Sequence, residues 1–278
     1  MEHNRQNTFR FDFHVHTKLS RSIPFNLEDV HLLITHAKRM GLDGFAITEH
    51  INAPDYWEAY EQIGRRFLCD SGIYYVEPGL SLINGAEITL RGKGDVLALG
   101  DIRSIQALDL KLNLSGGYHP TLEELIAEAP GDLVLIGAHP FRPKGGIMKF
   151  DPAAIRKLSA LEVNGKDFGQ EHQVEAAARS MDLPVVAGSD THYWPQLGIR
   201  RTVLSLPSLT IPAIKHAIES GHATYESEPN GPLMVEMCKH HKTTLKTALG
   251  LYDNRPGRLI RSVEKEVLSE REDVVSVR

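Results

Sequence analysis

The sequence predicts an α/β protein whose largely parallel sheet closes, or nearly closes, into a β/α barrel. Apolar runs of strand length alternate with segments whose apolar residues recur at helical spacing. Six or seven such steps fit in about 220 residues, which suits a barrel better than a six-stranded open sheet. A glycine-rich dinucleotide fingerprint or a phosphate P-loop would favour the open sheet, and neither is present.

A first strand is expected over residues 9–15. A helix over 27–40 follows, with Val30, Leu33, Ile34 and Ala37 on one face, Asn26 as its N-cap and Gly41 closing it. A short apolar strand at 44–48 leads into a helix at 57–68. Residues 73–90 carry two strand-like runs around Pro78 and Gly79, and 96–99 another. A polar connection with Gly116 and Gly117 then reaches Thr121, which opens a helix with Glu124 at capping-box spacing. Buried strands are expected at 133–138, 160–163 and 184–187, separated by helices near 152–158 and 170–181. A strand at 202–206 and a helix at 211–220 complete a domain taken as 9–226. The extension, 227–278, reads as a loop with two prolines, a helix over 233–251, a break at 254–257 and a charge-rich end.

The 278 residues are 41% hydrophobic and 24% charged, enough to bury a core and too apolar for disorder. No run of about 18 apolar residues could cross a bilayer, and no basic-then-apolar leader opens the sequence, so a cytoplasmic protein without membrane contact is expected. Cys69 and Cys238 allow at most one disulfide and no thiolate metal cage. A net charge of −5 gives no global attraction for nucleic acid. The excess is in histidine, 14 residues, and neutral imidazole is the commonest metal ligand.

Five apolar runs end in His, Asp or Glu. The first carries Asp12-Phe13-His14-Val15-His16, whose two imidazoles share a strand face. The others lead into Glu49-His50, Glu87, His139-Pro140 and Asp190-Thr191-His192. In a β/α barrel the C-terminal strand ends converge on one mouth, so these residues would meet there. Mixed imidazoles and carboxylates suit zinc, manganese or iron. Asp12 is expected to orient an imidazole from behind, and Asn164 and Lys166 could also face the mouth. The remaining histidines, His3, His31, His36, His172, His216, His222, His240 and His241, read as surface; His119 is left out of the site.

With these residues in hand, the chain resembles the PHP superfamily, the polymerase and histidinol phosphatase domain. The motifs are DFHVHT at 12–17, GLDGFAITEH at 41–50, GAEIT at 85–89, GAHPFR at 137–142, ALEVNG at 160–165 and GSDTH at 188–192. The resemblance implies a distorted seven-stranded (β/α)7 TIM-like barrel and a metal-dependent phosphoesterase. It implies one ion held by His14, His16, Glu87 and Asp190. Glu87 would bridge to a second held with His139, and His50 and His192 belong to a third. Asp95 stands where many members carry His, and its carboxylate can still coordinate. Members with a full third site carry His or Asp eight residues after the first His; here Ser22 stands there beside Arg21, which leaves the count at two or three. Glu49 replaces the usual Asp before His50.

The chemistry this implies is attack of a metal-bound hydroxide on phosphorus, with His192 or His50 protonating the leaving oxygen. Arg142 is the expected phosphate clamp, since a guanidinium can grip two phosphate oxygens. Arg91, Lys93, Lys144, Arg200 and Arg201 are weaker candidates. The expected partner is a small phosphorylated metabolite or nucleotide, with a short oligonucleotide open and the oligomeric state not indicated. A metal-binding domain without catalysis and a hydrolase of non-phosphate esters are the alternatives.

Overall fold

A computed structural model of the chain describes residues 7–248. In chain order its elements are β1 (Asn7–Val15), α1 (Leu27–Arg39), β2 (Gly44–Ile47), α2 (Tyr56–Arg66), β3 (Leu68–Asp70), β4 (Ile73–Glu77) and β5 (Leu80–Thr89). There follow β6 (Asp95–Leu99), α3 (Ile102–Leu112), α4 (Leu122–Glu128), β7 (Val134–Gly137), α5 (Pro152–Ile155), β8 (Ala160–Asn164) and α6 (Glu171–Met181). The last are β9 (Val185–Gly188), β10 (Arg200–Leu206), α7 (Ile211–Glu219), β11 (Ala223–Ser227) and α8 (Gly231–Ala248).

Nine strands form one barrel-shaped path in the order β11-β10-β1-β2-β5-β6-β7-β8-β9, with the β3–β4 hairpin attached to β5. The path nearly closes on itself. Val15 bridges to Thr191, His16 N–H donates to the Thr191 carbonyl at 2.8 Å, and Thr191 N–H donates back to His14 O at 3.3 Å. The largely parallel sheet that was expected is instead mixed: β1–β2, β2–β5, β7–β8 and β8–β9 are parallel, while β3 to β6 follow one another without a helix and β5–β6, β6–β7, β1–β10 and β10–β11 are antiparallel. The reversal at β6 has a use: it brings the start of that strand, Asp95, to the end of the barrel where β5 finishes.

Period-two alternation explains why the interior is apolar and its mouth is not. Phe11, Phe13, Ile83, Leu97, Ile136 and Val186 belong to one buried cluster. The same strand faces continue from Ile83 to Glu87, from Leu97 to Asp95 and from Ala160 to Glu162. A second cluster joins the outward strand faces to the helices through residues such as Leu33, Tyr60, Ile105, Leu125 and Val174. Helix starts follow the capping chemistry: Asn26 accepts from Glu28 N–H, and Thr121 and Glu124 form a full capping box.

Three elements were not expected. β3 replaces the end of the second helix. Helix α3 lies where a polar connection was read; Asp101 caps its start and Asn113, at φ 54°, ends it in the left-handed region. Strand β11 occupies part of the expected loop, and α8 begins at Gly231. One compact unit reaches Lys239 and a second begins at His240, so residues 227–239, read as extension, lie in the first unit. His3, the 254–257 break and the charged end lie outside the described residues. Both cysteines are free thiols. Among the described residues no helix is long and apolar enough to cross a membrane.

Candidate metal centre

The expected ligands come together. His14, on β1, is fully buried, and His16 follows at the strand end with 2% exposure. Their Nε2 atoms stand 3.2 Å apart. His14 Nε2 lies 3.7 Å from Glu87 Oε1 and 3.8 Å from Asp190 Oδ1; His16 Nε2 lies 3.4 Å from Glu87 Oε2 and 3.6 Å from Asp190 Oδ1. On the far side of Glu87, His139 Nε2 is 3.2 Å from its Oε1 and 3.8 Å from Asp95 Oδ2. Ligand atoms thus gather in three groups, His14–His16–Glu87, Glu87–Asp95–His139 and His16–His50–His192.

These distances test whether a metal suits the residues. Most exceed a good hydrogen bond. They match the separation of about 3.4 Å between ligands sharing a tetrahedral ion at about 2.1 Å. His50 Nδ1 approaches Glu87 Oε2 to 2.9 Å without the alignment of a hydrogen bond, and the buried His139 Nδ1 has no partner. Nitrogens and carboxylate oxygens that converge with few hydrogen bonds among them, His139 Nε2 to Glu87 Oε1 and His14 Nε2 to His16 Nε2 at 3.2 Å being the exceptions, fit a shared cation.

Electrostatics agree. Burial disfavours the charge on Glu87, but His50, His139 and His14 around it hold its carboxyl well below the usual range. Asp190 is likewise buried and held well below it by Lys166, His14 and Arg142. His14 goes the other way: against burial, Glu162 and Asp190 raise it well above the ordinary imidazole value. Burial outweighs Glu49 and lowers His16. Asp95 is pushed up to about 6 by burial and by the charge of Glu87, as a carboxylate is when its counter-charge is insufficient.

The residue that orients His14 is Glu162, which sequence reasoning missed. His14 Nδ1 donates to Glu162 Oε1 at 2.8 Å, while Glu162 Oε2 accepts from His139 N–H at 2.8 Å and from Asn164 Nδ2 at 3.0 Å. The available signal was a lone carboxylate inside the apolar run of β8. Asp12 serves the backbone instead of an imidazole: it accepts from Ser189 N–H and Gly198 N–H, each at 2.8 Å, and from His14 N–H at 3.2 Å. Two ligand residues sit at positive φ, His139 at 31° and Asp190 at 54°, so the turns after β7 and β9 are bent sharply to aim them. Gly188 just before Asp190 has no room for a side chain, since a Cβ there would lie 2.5 Å from His14 Cβ.

Arg142 requires a correction. It is not a free phosphate clamp, because its guanidinium donates to Asp190 Oδ2 at 2.9 Å, to Asn164 Oδ1 at 2.9 Å and to Asp167 Oδ2 at 2.7 Å. Lys166 does reach the site, at 2.6 Å from Asp190 Oδ1. Other cations are committed elsewhere: Arg91 to Tyr118, Arg201 to Glu226 and Glu228, and buried Arg200 to Glu171 and the face of Phe168. His119 Nδ1 binds the Thr89 carbonyl, and His36 packs edge-on against Trp194.

No family model matches the chain. Among curated proteins, Probable phosphatase YcdX of Escherichia fergusonii is 28% identical over 212 residues, 67% of this chain and 80% of that one. Among solved structures, PsfC from Pseudomonas syringae PB-5123 has a TM-score of 0.71 at 27% identity, covering 86% of this chain and 99% of that one. The lesion-specific endonuclease PfuEndoQ from Pyrococcus furiosus scores 0.64 at 20%, over 79% of this chain and 58% of that one. A two-domain protein from Bacteroides vulgatus containing a predicted PHP-like metal-dependent phosphoesterase scores 0.54 at 19%, over 84% and 71%. The chain shares the fold of these structures. At their low identities the last two likenesses speak for the fold, and within this PHP-like fold the ligand groups occupy the barrel mouth that β1, β5, β7 and β9 share.

Proposed function

We propose that the chain is a metal-dependent phosphoric ester hydrolase acting on a small phosphorylated substrate. The observation that carries this reading is the placement of Glu87. Its carboxylate lies between two ligand groups, 3.4 Å from His16 Nε2 through Oε2 and 3.2 Å from His139 Nε2 through Oε1. The ring of β1, β2 and β5 to β9 is read as the seven-stranded PHP-type barrel that presents it.

His14, His16, Glu87 and Asp190 would hold one divalent ion, and Glu87, Asp95 and His139 a second; zinc, manganese and iron all suit the donor set. Such ions supply Lewis acidity and let water attack phosphorus at neutral pH. The chain's own groups do the rest. Glu162 keeps His14 turned to the mouth, and Arg142 with Asn164 holds Asp190. His50 and His192, with side chains 19% exposed, are the imidazoles open enough to hold a proton for the leaving oxygen. A net charge of −5 favours a small anion over a long polyanion.

The test is turnover. Protein loaded with Mn²⁺, Zn²⁺ or Fe²⁺ should release phosphate from members of a panel of phosphomonoesters or cut short oligonucleotides to a hydroxyl end and a phosphomonoester end, and Glu87→Gln should do neither. Equal rates for both proteins, or no hydrolysis of any ester in the panel, would end the proposal.

A further inference from the structure

Between Thr89 at the end of β5 and Asp95 at the start of β6 the chain makes a tight turn, and a second loop is stitched to it. Lys93 N–H donates to the Leu90 carbonyl at 2.9 Å and Leu90 N–H to the Gly94 carbonyl at 2.7 Å, which closes the turn. Gly94 bridges in parallel to Gly145, and Asp95 N–H donates to the Gly145 carbonyl at 3.1 Å. Gly145 lies against two expected ligands of the second ion: a Cβ there would sit 2.9 Å from Asp95 Oδ2 and 3.2 Å from His139 Cε1. The ring of Phe150 packs on Gly94 so closely that no side chain fits between them, so the two loops form one braced unit.

Three lysines stand on this unit. Lys93 precedes Gly94 and Lys144 precedes Gly145, so the parallel bridge sets the two residues side by side, and both are exposed. Lys149, also exposed, donates through Nζ to the Lys93 carbonyl at 2.9 Å. Among the described residues no carboxylate pairs with any of these three ammonium groups. Nearby acids are engaged otherwise: Asp151 caps α5 through Ala153 N–H, and Glu124 meets Arg91 of the same turn. Three other exposed lysines do meet acids of the chain, Lys38 with Glu77, Lys111 with Glu128 and Lys239 with Glu236. In a chain of net charge −5, a cluster of like charges left unneutralised beside a site for phosphate esters calls for an anion from outside.

The backbone gives a second sign. Gly92 and Lys93 are consecutive left-handed residues, at φ 98° and 68°. Glycine or asparagine fits such a place without penalty, and a lysine there is held at a steric cost. Strain of this kind gathers where a turn binds a ligand.

We propose that Lys93, Lys144 and Lys149 bind a second phosphate of the substrate, so that the chain acts on small compounds carrying two phosphate groups. Water cleaves the ester at the metal centre into inorganic phosphate and an alcohol, and the alcohol keeps the phosphate held by the lysines. The inference rests on the phosphoesterase reading above and narrows its substrate class.

The test compares matched substrates on the full chain loaded with Mn²⁺. The pairs are glucose 6-phosphate against glucose 1,6-bisphosphate, and thymidine 5′-monophosphate against a thymidine dinucleotide with a 5′-phosphate, followed by longer 5′-phosphorylated strands. In at least one pair the member with two phosphates should have a kcat/KM higher by about tenfold or more, the contribution of one charge-assisted contact. Lys93→Asn with Lys144→Gln removes two charges, and asparagine suits the left-handed backbone. In this variant the advantage should shrink to near parity. Lys144→Gln alone, at an exposed residue, repeats the measurement should the double variant fail to fold, and it should lose part of the advantage. Equal kcat/KM within both pairs overturns the proposal and leaves the phosphoesterase reading intact, as does an advantage that the folded variants keep in full. An advantage that keeps growing as the strand lengthens would overturn the small-substrate form in favour of a nucleic-acid strand. No turnover of any ester would remove the phosphoesterase reading, and this inference with it.

Discussion

His14 Nδ1 donates to Glu162 Oε1 at 2.8 Å in a site where both side chains are buried. The bond fixes the imidazole tautomer and leaves Nε2, which faces Glu87 and Asp190, as the acceptor nitrogen. Glu162→Gln keeps the shape and removes the charge. Metal affinity should fall about 10- to 100-fold, the usual effect of losing such a partner. Competition with a chromophoric chelator measures it, and an unchanged affinity would refute the orienting role.

Metal removal should destabilise the whole unit, because Glu87, Asp190 and Glu162 are buried carboxylates gathered at one end of the barrel. An ion present at a hundred times its dissociation constant contributes about 2.7 kcal/mol. In a domain of this size that corresponds to a Tm about 5 to 10 °C lower after chelation. Coincident melting curves with and without chelator would contradict the metal centre.

Gly188 tests the packing behind the ligands. A methyl group there would sit 2.5 Å from His14 Cβ and 2.7 Å from its backbone nitrogen, neither of which can swing aside. Gly188→Ala should cost about 1 to 3 kcal/mol, the range for an overpacked core. Urea unfolding of the metal-loaded protein reads this directly, and wild-type stability would show that the β1–β9 contact is looser than described.

His36 gives a pH prediction away from the metal ligands. Burial, with the charge of Arg39, pushes its imidazole below the ordinary 6.5, although the Pro195 carbonyl partly opposes this. The folded value is thus below the unfolded one. Stability from this group is complete above 6.5 and is lost as pH falls towards and through the folded value. His36→Gln should therefore lose less Tm than wild type between about pH 7 and about pH 5.5, a window set by imidazole titration. Parallel slopes for the two proteins would show that His36 titrates alike folded and unfolded.

Much of this arrangement was legible in the sequence because ligand-type residues interrupt strands with a regular period. The i, i+2 pairs His14–His16 and Asp190–His192 mark strand ends, and the convergence of strand ends does the rest. The limits are equally physical. Arg142 looked like a clamp because spacing locates a guanidinium and says nothing of its partners; Asp167, distant from it in sequence, claims it. Glu162 was overlooked because a single carboxylate in an apolar run carries no periodicity. Helix α3 was hidden because its start and end rest on Asp101 and Asn113, single residues that read equally well as loop.

The seam between β1 and β9 is held by few hydrogen bonds, among them His16 N–H to the Thr191 carbonyl. On one side of it stand His14 and His16, on the other Asp190 and His192. Any ion gripped by His16 and Asp190 together fastens the end of β1 to the turn after β9 like the clasp of a bracelet. The reactive centre and the closure of the fold are then one object, and amide exchange at His16 and Thr191 should quicken on chelation before that of the continuous β2–β5 pairing.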